Sequence, residues 1–178
     1  MGMPYQQSGP IRYYTFASLD DQPILQAVFT RRGGISPMPW SALNLGGTVG
    51  DDPQRVLENR RRAFDALGLG MDSLYDVWQV HSADVVCTDR PRPPEMRHLQ
   101  ADAILTDTPG VTLFMRFADC VPVLLYDPHR RVVGLVHAGW QGTVKRVISA
   151  TIQTMQARYQ SNPQDILAGI GPSIGQHH

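Results

Sequence analysis

Residues 118–143 read ADCVPVLLYDPHRRVVGLVHAGWQGT, and the interpretation of this stretch decides the fold. The apolar runs 121–126 and 132–136 flank Asp127 and Pro128, residue types that favour turns, so an antiparallel hairpin is expected here. A four-residue loop, 127–130, sets Tyr126 opposite Arg131, and the same register sets Cys120 opposite His137. Opposed residues have Cβ atoms roughly 4.5–5.5 Å apart, close enough for a shared metal ion or a thiolate–imidazole pair. A slip of one residue would send the two side chains to opposite faces of the hairpin.

Downstream, Val144, Val147, Ile148, Ile152 and Met155 form an apolar stripe that predicts a helix over 143–159, and 165–171 reads as a last strand. Upstream, 101–107 and 111–117 read as a strand pair around Thr108-Pro109-Gly110. Residues 74–80 form a strand delivering His81, 84–87 continue extended, and 88–100, with three prolines, form a surface loop. A helix precedes them. Asp52 caps it, Pro53 suits its first position, Val56, Leu57, Arg60, Phe64 and Leu67 recur at helical spacing, and Gly68 and Gly70 end it. The long irregular stretch 35–52 carries the apolar anchors Trp40, Leu43 and Leu45, which favour an ordered loop. Before it, 24–30 reads as a strand running into Arg31-Arg32-Gly33-Gly34, and 1–23 as a lead-in with one short strand around 13–16.

Antiparallel hairpins mixed with two marked helices point to an α/β (α+β) fold. Strands 111–115 and 121–125 are apolar on both faces and so need cover on both sides. The expectation is a layered α/β/β/α sandwich with mixed sheets around the central hairpin, forming one domain over 1–178.

The chain has 16 basic and 16 acidic residues among 178, so no electrostatic footprint for nucleic acid or an anionic membrane is present. A small neutral or anionic substrate fits at least as well. Cys87 and Cys120 are too sparse for a disulfide framework, and a reduced cytoplasmic setting is expected. No secretory leader is visible, and no apolar run approaches the roughly 18 residues a membrane span needs.

Of six histidines, His98 and His129 fall in expected loops and His177 and His178 close the chain. His81 and His137 each follow an apolar strand, where a side chain is aimed. With Cys120 they make a His, Cys, His set spaced by 39 and 17 residues. Zinc accepts such mixed ligands, and a catalytic zinc commonly takes three and keeps a fourth position open. The alternative is a buried apolar cysteine with two satisfied histidines. Asp119, next to Cys120, either orients a ligand from the opposite face or bonds loop backbone. Arg31, Arg32 and Arg116 are anion binders or ordinary salt-bridge partners. Asn44 and Gln79 read a base or sugar, or else cap a loop and face solvent.

The motifs FTRRGG (29–34), SALNLG (41–46), VGDDP (49–53), ENR (58–60), WQVH (78–81), ADA (101–103), ADCVPV (118–123), Asp127-Pro128, VHAGW (136–140) and GPSIG (171–175) span almost the whole chain. In this order they resemble the laccase-domain family, long called multicopper polyphenol oxidases and now read as purine nucleoside-processing enzymes. The resemblance implies zinc at His81, Cys120 and His137, with copper a lesser alternative. Catalytic roles are expected for Cys120 and His137, and for Asp119 from its place beside Cys120. It also implies phosphorolysis of adenosine, inosine and methylthioadenosine, with adenosine deamination as a further activity. Asn44, Gln79, Arg32 and Arg116 would then contact the purine nucleoside and phosphate. A Cys–His hydrolase or deamidase built on Cys120 and His137 is the competing reading, and a polyphenol oxidase fits less well because two strand-end histidines are few for several coppers. Phe117 stands where many relatives have threonine, and Gln141 where many have arginine. The family usually continues beyond GPSIG, so the ending at His178 is expected to be a truncation.

Overall fold

The computed structural model describes residues 2–175, and the chain divides into two compact units at Asp72/Ser73. His177 and His178 lie outside the described residues.

In the first unit, strands β1 (Tyr5–Ser8), β2 (Ile11–Tyr14) and β3 (Val28–Phe29) form a three-stranded antiparallel sheet in that order. The strand expected over 24–30 is thus reduced to two paired residues, and the lead-in holds a hairpin instead of one short strand. Helix α1 (Pro53–Asp65) follows as expected, with the Asp52 carboxylate accepting from the Gln54 N–H at 2.8 Å. The loop before it is ordered, but chiefly by a polar side chain. Fully buried Asn59 accepts from the Ile35 N–H at 2.9 Å and donates to the carbonyls of Ala42 and Asn44 at 3.2 and 2.9 Å. Gly33 has φ 94°, and a Cβ on Gly34 would overlap the Ala42 carbonyl, so FTRRGG needs glycine at both places.

The second unit contains β4 (Leu74–Asp76), β5 (Val85–Cys87), β6 (Ala103–Thr106), β7 (Thr112–Phe114), β8 (Val121–Asp127), β9 (Val132–Ala138), α2 (Trp140–Val144), α3 (Val147–Tyr159) and β10 (Leu167–Ile170). A five-stranded mixed sheet runs β10-β8-β9-β6-β5, and β4 pairs in parallel with β7 in a separate two-stranded sheet. Residues 101–107 and 111–117 therefore do not pair with each other as expected. The turn at Gly110 carries the chain from one sheet to the other.

The hairpin β8–β9 is the centre of the larger sheet, but its register differs from the expectation by two residues. The loop is 128–131, with Asp127 opposite Val132 and Pro122 opposite His137. Asp127 stays in the strand because its Oδ1 accepts the N–H groups of His129 and Arg130 at 2.9 and 3.0 Å, and Arg131 turns back with φ 55°. Cys120 lies just before the strand. Because side chains alternate with a period of two, a two-residue shift leaves every residue on its expected face.

Both faces of the sheet are covered. Ala103, Leu105, Val123, Leu125, Val132 and Val136 pack against Val147 and Met155 of α3. On the opposite face Ile104 and Leu135 meet Tyr75, Val77 and Met115 from the β4/β7 side. The unit is thus layered α/β/β, and the mixed α/β architecture with several sheets agrees with the expectation. The helix expected over 143–159 is broken: Arg146 adopts φ 63°, separating α2 from α3, and Val144 at the break is 74 % exposed, outside the core stripe. Among the described residues no helix is long and apolar enough to cross a membrane.

Leu105 is fully buried between β9 and α3. Leu105→Ala is expected to lower the unfolding free energy by about 2–5 kcal/mol, read from denaturant midpoints at an unchanged slope.

Candidate metal centre

His81, Cys120 and His137 come together, with their ligand atoms all within 4.8 Å of one another. In a tetrahedral zinc site with bonds of about 2.0–2.3 Å the donors stand roughly 3.5 Å apart, so small side-chain rotations would close the set. Three segments of different sequence origin supply it. His137 comes from β9, 4 % exposed, on the face turned toward the β4/β7 layer. Cys120 comes from the bend preceding β8, and His81 from the irregular segment after β4.

One residue that the sequence reading left unassigned organises this centre. Asp102 is fully buried one step before β6, opposite His137, and the His137 N–H donates to the Asp102 carbonyl at 2.8 Å. Its carboxylate bonds His137 Nδ1 through Oδ1 at 2.8 Å. Oδ2 accepts the Val80 N–H at 3.1 Å, the Ser82 N–H at 2.6 Å and the Ser82 hydroxyl at 3.0 Å. Those three bonds bracket His81, so one carboxylate fixes both histidines. With Nδ1 engaged as donor, His137 presents Nε2 to the centre, the arrangement metal-ligating histidines adopt. Burial alone would push the Asp102 carboxyl up, but the bonds from Ser82, His137 and Val80 outweigh it and hold the group below the usual carboxylate range. The only sign of Asp102 in the sequence was its place in the ADA motif; recognising its role required the β6–β9 register.

Burial pulls the His137 imidazole below its ordinary value against the opposing pull of Asp102. The Cys120 thiol is pushed up, first by burial and then by the charges of Asp119 and Asp102. The rings of His81 and His137 stand 5.0 Å apart edge to face, and Phe117 packs on His137 at 5.5 Å. Gly139 closes the floor: a Cβ there would lie 2.8 Å from Cys120 Sγ and 3.2 Å from the His81 ring.

The remaining expected site residues are placed differently. Asp119 has φ 75° and is exposed in the bend, so it is not on a strand and does not back Cys120 from an opposite sheet face. Gln79 spends its amide on the Arg116 main chain, donating to the carbonyl at 2.7 Å and accepting from the N–H at 3.0 Å. The Arg116 guanidinium donates to the Val77 carbonyl at 2.7 Å and reaches buried Asp76 at 3.4 Å. Arg92 and His98 also engage that carboxylate, at 2.8 and 3.1 Å. In the other unit, Asn44 folds onto its own loop, bonding Gly46 and Asp51, and Arg32 is exposed. Cys87 and Cys120 are both free.

This fold is that of a known class of proteins. The chain belongs to the multi-copper polyphenol oxidoreductase laccase family, whose model matches residues 25–178. It is 45 % identical over 149 residues to the purine nucleoside phosphorylase ORF3 of Streptomyces griseus, covering 82 % of this chain and 59 % of that protein. It is 39 % identical over 147 residues to the purine nucleoside phosphorylase YfiH of Escherichia coli, covering 82 % and 57 %. The crystal structure of YlmD from Geobacillus stearothermophilus superposes with a TM-score of 0.88 at 32 % identity, over 98 % of this chain and 66 % of that one.

Two substitutions test the centre. Gly139→Ala is expected to leave the fold cooperative while abolishing tight uptake of a divalent transition metal, measured by metal analysis beside thermal unfolding. Asp102→Asn sets an amide donor against other donors, and metal affinity is expected to fall about 10–100-fold in a competition titration. Because Asp102 titrates below its ordinary 3.8, its stabilisation is present above that value and lost as pH falls through the folded value. Unfolding free energy between pH 5 and 2 should therefore fall less steeply in Asp102→Asn.

Proposed function

We propose that His81, Cys120 and His137 form the zinc-binding centre of a purine nucleoside phosphorylase acting on adenosine, inosine and methylthioadenosine. The observation that carries this is the convergence of two nitrogen donors and one sulfur, with His137 held by a buried carboxylate, the donor set and outer partner that zinc favours. The names of the relatives support the substrate class. In the reaction a phosphate oxygen bonds C1′ of the ribose as the bond from C1′ to the base nitrogen breaks, and the base leaves with a proton. Bound zinc would supply Lewis acidity at the exposed side of the centre. Asp102 keeps Nε2 of His137 aimed at that position, Phe117 shields the imidazole from water, and Gly139 leaves room beside the thiol. Deamination of adenosine, water replacing the amino group and ammonia leaving, is the further activity proposed for the same centre.

A second reading has one observation in its favour: Asp102, His137 and Cys120 line up as an acid–imidazole–thiol series of the kind a Cys–His hydrolase uses. A nucleophilic cysteine needs a depressed thiol, whereas burial pushes the metal-free Cys120 up, and His81 has no task in that scheme.

With zinc-loaded protein and inosine, ribose 1-phosphate should form only when phosphate is present. A chelator, Cys120→Ala and His137→Ala should each cut turnover by more than about a hundredfold, beyond what loss of an outer partner costs. Metal-free activity destroyed by thiol alkylation would instead establish the hydrolase.

A further inference from the structure

His81 is held in an uncommon main-chain state. Its φ of 58° lies in the left-handed region, which a non-glycine residue occupies only when its surroundings hold it there. On the two sides of it, the N–H groups of Val80 and Ser82 are fastened to Asp102. Its own carbonyl is fastened from elsewhere: the Lys145 ammonium donates to the His81 oxygen at 2.8 Å across 64 positions of sequence. Lys145 follows α2, at the cap where the main chain turns toward α3, and its side chain reaches back to the main chain of His81. It is the only lysine in a chain whose other basic residues are all arginine.

Resting on the reading of His81, Cys120 and His137 as a metal centre, we propose that Lys145 is a positioning residue for the exposed ligand His81. It fixes the His81 peptide in the left-handed conformation, so that the imidazole points at Cys120 and His137 before metal arrives. His137 needs no such help, being buried and anchored within β9. His81, exposed and outside any strand, would otherwise spend binding free energy on being ordered.

The test turns on a sign. Lys145 carries a positive charge near the metal position, so by electrostatics alone its removal would strengthen binding of a divalent cation. Positioning demands the reverse. In Lys145→Met, which keeps the stem and loses the ammonium, zinc affinity measured against a chromophoric chelator should fall about tenfold. The cobalt-substituted protein should lose intensity in its visible bands as the fourfold ligand field is disturbed. Lys145→Arg, which retains a donor, should recover most of the affinity. Thermal unfolding of the metal-free proteins should coincide. Unchanged or tighter zinc binding with an unaltered cobalt spectrum in Lys145→Met overturns the role assigned to Lys145, as does a loss of affinity matched by a loss of metal-free stability. If the wild-type protein itself takes up no zinc, the metal reading fails first and takes this proposal with it.

Discussion

A carboxylate buried away from solvent must find its partners within the protein, and the bonds of Asp102 are what assemble the centre. The need works in both directions. Asp102 requires donors, and the structure supplies them from the two segments that carry histidines. The imidazole of His137 and the peptide groups flanking His81 converge because they meet opposite oxygens of one carboxylate, His137 on Oδ1 and the Val80 and Ser82 groups on Oδ2. Five polar groups that would be costly to bury separately are satisfied together, and the geometry of the two candidate histidine ligands follows from that satisfaction.

The surrounding layers make such a group possible. Helix α3 on one face and the β4/β7 pair on the other exclude water from the five-stranded sheet, so Asp102 and His137 sit at the dry end of adjacent strands. Cys120 and Gly139 then continue past the ends of β8 and β9, where the ladder stops and the thiol can turn toward the imidazoles. The opposite arrangement holds around Asp76. There a buried carboxylate gathers Arg92, His98 and Arg116 into a clasp on the 88–100 loop, and those groups are engaged with the protein itself.

Much of this was legible in the chain because it depended on local pattern. The cap at Asp52, the end of α1, the hairpin after Asp127 and the apolar stripe of α3 are short-range features with a fixed period or a fixed turn chemistry. The grouping of Cys120 with His137 was reached through a register two residues from the observed one. It held because alternation along a strand repeats every two residues, so the face was right although the partner was wrong. Residues 101–117 misled for the opposite reason: a turn signal reports a reversal of direction, and says nothing of whether the chain returns to the same sheet. Likewise the stripe from Val144 onward is continuous in sequence, but the left-handed turn at Arg146 ends one helix and starts another.

By itself, then, the sequence determined the donor types, the hairpin beside which two of them lie, the mixed α/β class and, through its motifs, the family; the strand expected over 74–80 ends at Asp76, so His81 leaves an irregular segment and not a strand end. Only the tertiary structure decided that Asp102 lies across from His137, that Ser82 and Val80 bind that same carboxylate, and that Lys145 reaches the carbonyl of His81. It also decided that Gln79 and Arg116 are bonded to each other. These are contacts between residues 20 to 64 positions apart. Periodicity encodes which face a side chain takes; which segment faces it depends on how strands are ordered and offset, and that order is settled by burial of the whole sheet.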